Sequence, residues 1–292
     1  MISESVISSD ELEALSASAG RYLRKVLQTF IGESEAMIPA AGLPGVAEVH
    51  DIRVNMKRCR AILKLLRASP RSDFYCRENG SLRDISALFS PNREKEVLKK
   101  TLRMLSKQYP EVFSREFSEM ICEAEAEFSI NSVVASPDDI SSEARELLRR
   151  AWYRIGFVSL SDLTRNILLD GLYDSFIRAE RAFNLARSTS LATDLHEFRK
   201  RSKDLLYQVR FFSDYNPGHF EEVHSNLDEI CSILGKYNDL SGAWNIIQVS
   251  RSGLGEKKVD KALKAIDDER ILLAGRVFPL ADKFFSTFYS GR

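Results

Sequence analysis

Val49-His50-Asp51-Ile52-Arg53-Val54-Asn55-Met56-Lys57-Arg58-Cys59-Arg60-Ala61-Ile62-Leu63-Lys64-Leu65-Leu66-Arg67 is the stretch from which the fold can be read. At about 100° per residue in a helix, His50, Arg53, Lys57, Arg60, Lys64 and Arg67 fall inside an arc roughly 100° wide. Ile52, Cys59, Ile62, Leu63 and Leu66 cover the opposite side. The basic positions recur about every 3.5 residues, the interval of a coiled-coil seam, but this seam carries charge instead of leucine. Such a helix packs on its back and presents a line of cations.

The same pattern returns later in the chain. Residues 195–212 read Leu-His-Glu-Phe-Arg-Lys-Arg-Ser-Lys-Asp-Leu-Leu-Tyr-Gln-Val-Arg-Phe-Phe. Aligning His196 with His50 sets Arg199 on Arg53, Lys203 on Lys57 and Arg210 on Lys64, so the offsets 0, 3, 7 and 14 recur behind a histidine. Lys200 and Tyr207 join this second face, and Phe198, Leu205, Val209 and Phe212 form its back. Downstream, Leu88-Phe89-Ser90-Pro91-Asn92-Arg93-Glu94 matches Ile233-Leu234-Gly235-Lys236-Tyr237-Asn238-Asp239 within one residue of register. An internal repeat on this scale predicts two multi-helix halves, about 10–136 and 137–292, related by approximate twofold pseudosymmetry. The two basic helices would then face each other, antiparallel or across a central basic channel or surface.

Between these stretches the chain reads as helix throughout. Leu12, Leu15, Ala19, Leu23, Leu27 and Phe30 recur at helical spacing, with Arg21, Arg24, Lys25 and Gln28 on the other side. Residues 1–9 are polar and expected to be disordered. Gly32 and the 39–45 stretch should break the chain before Val46. Ser90-Pro91-Asn92 stops one helix and caps the next, and Tyr109-Pro110 is expected to open a helix with Glu116, Glu119, Glu123 and Glu127 outward. Further helices are expected at 141–158, 161–188, 192–213, 217–235, 238–251, 257–272 and 276–289, with Pro137-Asp138-Asp139 as the seam of the chain. No sustained apolar/polar alternation with hairpin turn signals appears, so the fold class is all-α, a helical bundle.

Composition narrows the function. The 292 residues are 44% hydrophobic and 29% charged, with only 14 glycines and 8 prolines, which favours a helical globular protein over an all-β one. Lys plus Arg and Asp plus Glu are both 42, so any electrostatic role must come from local clustering. Cys59, Cys76, Cys122 and Cys231 form no CxxC pair and read as buried thiols of a reducing compartment. The first residues lack a signal-peptide pattern, and no apolar run approaches the ~18 residues of a membrane span. A cytoplasmic protein without a membrane segment is expected. Metal and cofactor sites are not expected: His219 and His224 are five apart, a poor spacing for shared ligation on one helix. Trp152 and Trp244 read as core.

The doubled motif resembles the conserved histidine α-helical domain (CHAD) family. The first copy is similar to its opening motif through His50, Arg53, Val54, Lys57, Arg58 and Arg60. The second is similar to its repeat through His196, Arg199, Lys200, Lys203 and Tyr207, and Leu234-Gly235-Lys236-Tyr237-Asn238-Asp239 to the helix-start motif that follows. The resemblance runs from about residue 10 to the C-terminus. Leu206 stands where a basic residue is usual, Glu94 where Asp is, and Lys57 where Arg is; the last two keep their charge. The resemblance implies a domain of residues 10–292 that binds inorganic polyphosphate on a basic central surface and associates with polyphosphate granules. Some relatives carry a triphosphate-tunnel enzyme domain marked by a Glu-x-Glu-x-Lys strand. Here Glu123-Ala124-Glu125-Ala126-Glu127-Phe128 lacks the Lys and lies in helical sequence, so a stand-alone binder and not an enzyme is expected.

The residues support this independently, because a row of Arg, Lys and His calls for a linear polyanion. Arg offers a planar fork and Lys a point charge. His50 and His196 beside an anion would be protonated donors, not catalysts. The predicted polyphosphate-binding set is His50, Arg53, Lys57, Arg58, Arg60, Lys64, His196, Arg199, Lys200, Lys203, Tyr207 and Arg210, with Arg21, Arg24 and Lys25 added from the first helix. RNA or DNA binding by the same stripes is the alternative, disfavoured by sparse aromatic residues on the basic faces and by zero net charge. Phosphoryl-transfer chemistry would need clustered carboxylates or a phosphate-cradling glycine loop, and neither is visible.

Overall fold

In the computed structural model, which describes residues 9–129, 136–215 and 220–290, every regular element is helical. The long elements are α1 (Ser9–Ala36), α2 (Val46–Leu63), α3 (Ser72–Leu88), α4 (Ser90–Gln108), α5 (Arg115–Ser129), α6 (Pro137–Phe157), α7 (Arg165–Thr189), α8 (Ala192–Tyr215) and α9 (Glu221–Val249). The short α10 (Arg251–Leu254) and the long α11 (Glu256–Ser290) follow. A 3-10 turn at Lys64–Leu66 extends α2.

The apolar back of the opening stretch is core: Ile52, Cys59, Ile62, Leu63 and Leu66 are all buried. Each helix contributes a comparable face to one continuous hydrophobic cluster. Its aromatic centre lies where α7, α8 and α11 meet: Phe183 stacks on Phe285, and Phe198 approaches Phe183 with ring centroids 5.4 Å apart. Two close approaches of backbone fix the relative height of the helices. A Cβ on Gly171 of α7 would lie 2.2 Å from Leu65 O, and one on Gly20 of α1 would lie 2.3 Å from Leu160 O, so only glycine permits either contact.

Several helix limits differ from the expected ones. Gly32 does not end α1, which runs on to Ala36. One glycine costs a helix only about 1 kcal/mol, and the burial of Ile31 and Ser34 outweighs it. The residues near 235–238 and 273–275 do not interrupt α9 and α11, because Leu234, Tyr237 and Leu240, and Leu273 and Val277, keep the core face continuous. Tyr109-Pro110 opens a turn and not a helix: Val112 N and Phe113 N both donate to Tyr109 O, and Ser114 Oγ caps α5 by accepting from Phe117 N.

The helix after the Pro137 seam packs on the first half of the chain. α6 lies against α1 and α3. Its start is fastened when Ser136 Oγ accepts from Asp139 N and when Gly42 N donates to Asp138 Oδ1. Its far end is held by Arg154, whose guanidinium donates to both carboxylate oxygens of the fully buried Glu78 and to Ser81 Oγ. Two side-chain expectations are corrected. Trp152 is 38% exposed at the α1–α6 edge, because α6 turns only its Ala144, Leu148, Ala151 and Ile155 stripe inward. Cys76 is exposed and Cys122 half-buried, leaving only Cys59 and Cys231 as buried thiols. No helix among the described residues is long and apolar enough to cross a membrane.

Candidate anion-binding site

α2 and α8 pack directly against each other, α8 against α9, α9 against α4, and α4 against α2, so these four helices contact in cyclic order. The basic arc of α8 spans His196, Arg199, Lys200, Lys203, Tyr207 and Arg210 at helical pitch. On one flank of that arc Gln208 Nε2 donates to Ala61 O of α2, and Asp204 Oδ2 accepts from Lys64 Nζ at 2.5 Å. Moving forward along α2 from Ala61 to Lys64 corresponds to moving back along α8 from Gln208 to Asp204. The helices therefore cross with opposing chain sense. On the other flank His196 Nδ1 is hydrogen-bonded to Asn238 Oδ1 of α9 at 2.5 Å.

Between the flanks, cations from α2 and α8 act on Tyr207. Burial pushes the Tyr207 hydroxyl pKa up, and the positive charges of Arg58 from α2 and Arg199 from α8 oppose that rise. Lys203 Nζ sits 5.8 Å from the centre of the Tyr207 ring, a cation–π distance. Beneath them Cys231 of α9 is buried and its thiol is pushed up to about 12 by burial, although Lys203 and Arg199 both pull it down. The Nε of Arg199 is buried without a protein hydrogen-bond partner. Arg58 is also steadied from α1, its guanidinium lying 5.5 Å over the Phe30 ring.

The other sequence-predicted residues divide by what holds them. Arg53 Nη1 donates to Ser86 O and Ser90 Oγ at 2.6 Å each, so its guanidinium is tied to the junction of α3 and α4. Arg60 is half-buried and donates to Asn79 Oδ1; burial lowers its pKa, with Asp204 opposing. Lys64 is lowered in the same way, by burial first and with Asp204 opposing. His50 and Lys57 are exposed on α2. Lys200 pairs with Glu197, whose carboxyl pKa the Lys200 hydrogen bond lowers. Arg210 is exposed and pairs with Asp214 of its own helix. Arg21, Arg24 and Lys25 are not brought to this group: they line a separate groove with Trp152, where Arg24 Nη2 donates to Val158 O at 2.6 Å. The α1 residues that do reach Phe211 of α8 and Arg58 of α2 are Tyr22 and Phe30.

Sequence reasoning missed Asp204, Gln208 and Ser86. Asp204 is a carboxylate on the basic arc's helix that pairs with Lys64, and its spacing beside Lys200, Arg201 and Lys203 was the available signal. Gln208 donates to a backbone carbonyl of α2 and Ser86 accepts from Arg53 through its own backbone carbonyl, contacts that no sequence pattern reveals. Leu206, which departs from the basic residue usual at this position of the motif, is buried core. The Glu94 side chain, with those of Glu127 and His219, lies outside the described residues.

Comparison with known proteins agrees with this architecture. The family model described as "CHAD domain" matches residues 21–248. The fold is similar to the crystal structure of the CHAD domain from the plant Ricinus communis, with a TM-score of 0.55, 15% identity, and coverage of 90% of this chain and 87% of that one. No curated protein matches the chain. With a family model spanning more than half of its length, and the doubled His-x-x-Arg helices in the positions described, this chain belongs to the CHAD domain family.

Proposed function

We propose that this protein binds inorganic polyphosphate, without chemistry, on the surface enclosed by α2, α8, α9 and α4, and that this binding directs it to polyphosphate granules. The observation that carries the proposal is the convergence of Arg58, Arg199 and Lys203 on the half-buried Tyr207, with cations supplied by two different helices. A chain of phosphates carries charge at every repeat and has no aromatic or apolar part. It therefore suits a row of Arg and Lys set at about 5 Å steps along a helix. The buried, unpartnered Nε of Arg199 is a donor that a phosphate oxygen would satisfy. His196 is anchored at the same surface, its Nδ1 hydrogen-bonded to Asn238 Oδ1.

The test is a chain-length series from orthophosphate through triphosphate to long polyphosphate, measured by calorimetry at several salt concentrations. Affinity should rise with chain length and fall steeply with salt, as counterion release requires. Arg58→Ala with Arg199→Ala should weaken binding at least tenfold while circular dichroism is unchanged. Affinity that is flat with chain length, or unaltered in the folded double variant, would remove the basis of the proposal.

A further inference from the structure

A second cationic surface lies apart from the proposed polyphosphate site, on the groove between α1 and α6. Its lining is Arg21, Arg24, Lys25, Gln28, Thr29 and Trp152, three cations with no carboxylate among them. Gln28 Nε2 donates to Trp152 O, and Arg24 donates to the carbonyl that ends α6, so the wall is built and not a chance meeting of mobile chains. From Trp152 a row of rings continues along α6. Trp152 meets Tyr153 edge-on with centroids 5.3 Å apart, and Tyr153 and Phe157 lie 6.5 Å apart with planes within 13° of parallel. These rings are unusually open for their size: Tyr153 is 56% and Phe157 86% exposed. Arg149 and Arg150 sit on the same outer arc of α6, each with a carboxylate partner.

The two features together choose a ligand class. A row of cations without carboxylates selects an anion. Polyphosphate would use the cations but gains nothing from exposed aromatic faces, whereas a nucleotide chain offers a phosphate and a flat ring at every step. Stacking of bases on aromatic side chains beside a basic groove is how single strands are held without sequence preference. We infer that the α1–α6 face binds single-stranded nucleic acid, with phosphates along Arg21, Arg24 and Lys25 and bases against Trp152, Tyr153 and Phe157. The groove is distinct from the α2–α8 site: Arg21, Arg24 and Lys25 line it with Trp152 of α6, whereas Tyr22 and Phe30 are the α1 residues that reach Phe211 of α8 and Arg58 of α2.

The experiment uses the full chain and a fluorescein-labelled thymidine 20-mer, followed by anisotropy. Binding should be measurable at low salt and should weaken at least tenfold in Tyr153→Ala with Phe157→Ala, given that stacking contributes a factor of about 5 to 150 per base. Both side chains are exposed, so the variant should retain wild-type helicity and wild-type polyphosphate affinity. Arg58→Ala with Arg199→Ala should leave 20-mer binding unchanged. Four outcomes would overturn the inference: no binding of the 20-mer, no effect of the ring substitutions, loss of 20-mer binding in the Arg58/Arg199 variant, or a ring variant that changes only the oligomeric state or the binding of anionic vesicles. Each is distinct from failure of polyphosphate binding, which is read separately in the length series.

Discussion

Asp204→Ala tests the contact between α2 and α8 most directly. Asp204 Oδ2 accepts from Lys64 Nζ at 2.5 Å, and the two side chains are only 18% and 16% exposed. An exposed ion pair contributes about 0–1 kcal/mol, and removing one partner of a fully buried pair costs about 3–5 kcal/mol. This pair lies between those limits, nearer the buried one, so a loss of about 2–3 kcal/mol is expected. For a chain of 292 residues that corresponds to a fall in Tm of roughly 3–5 °C. The penalty should depend on pH in a defined sense. Burial already holds the Lys64 pKa below 10.5, and Asp204 is what raises it. Without Asp204 the folded pKa falls further. Between that value and 10.5 the unfolded chain keeps a proton that the folded one has released, so folded stability rises with pH. The variant's deficit is therefore full at neutral pH and narrows as pH climbs into that window. Polyphosphate binding should be undiminished or tighter, because a negative charge beside the proposed site has gone. Lys64→Met with Asp204→Leu should recover most of the stability. Urea unfolding at pH 7 and pH 10 measures all of this. A variant within 0.5 kcal/mol of wild type at pH 7, or a deficit that does not change with pH, would refute the account of the pair.

The other expectations concern packing and reactivity. Gly171→Ala drives a methyl group against Leu65 O and Cα, both backbone atoms that cannot turn aside, so a loss of at least about 1–3 kcal/mol is expected in thermal denaturation. Glu78→Ala removes the fully buried carboxylate and leaves Arg154, a third exposed, without its partner, and should cost about 2–3 kcal/mol, with Glu78→Gln retaining part of the hydrogen bonding to Arg154. Thiol titration of the native protein at pH 8 should label Cys76 first, while Cys59 and Cys231, both buried with raised pKa values, react only on unfolding. Fast labelling of Cys231 would mean that the floor beneath Arg199 and Lys203 opens readily.

The amino-acid sequence by itself determined the all-α class, the two basic helices and the apolar backs on which they rest. Those depend on period alone, and Ile52, Cys59, Leu63, Phe198 and Leu205 are buried where a period of 3.6 puts them. It also carried the family, because the His-x-x-Arg spacing is a local feature of single helices. Period cannot tell which neighbours a charged face will meet. Arg53, Arg60 and Lys64 share one stripe with His50 and Lys57, yet contacts from α3, α4 and α8 bind the first three into the framework. Arg58 lies off that stripe but joins Arg199 and Lys203 at Tyr207. Helix ends were also decided by tertiary packing: a core face that stays buried across Gly32, Gly235 and Gly275 outweighs the modest propensity cost of each. The division of the α1 cations from the α2–α8 group followed from packing too. Phe30 and Tyr22 reach Arg58 of α2 and Phe211 of α8, while Arg21, Arg24 and Lys25 line a groove with Trp152 of α6, a division set by how α1 packs and not by its period.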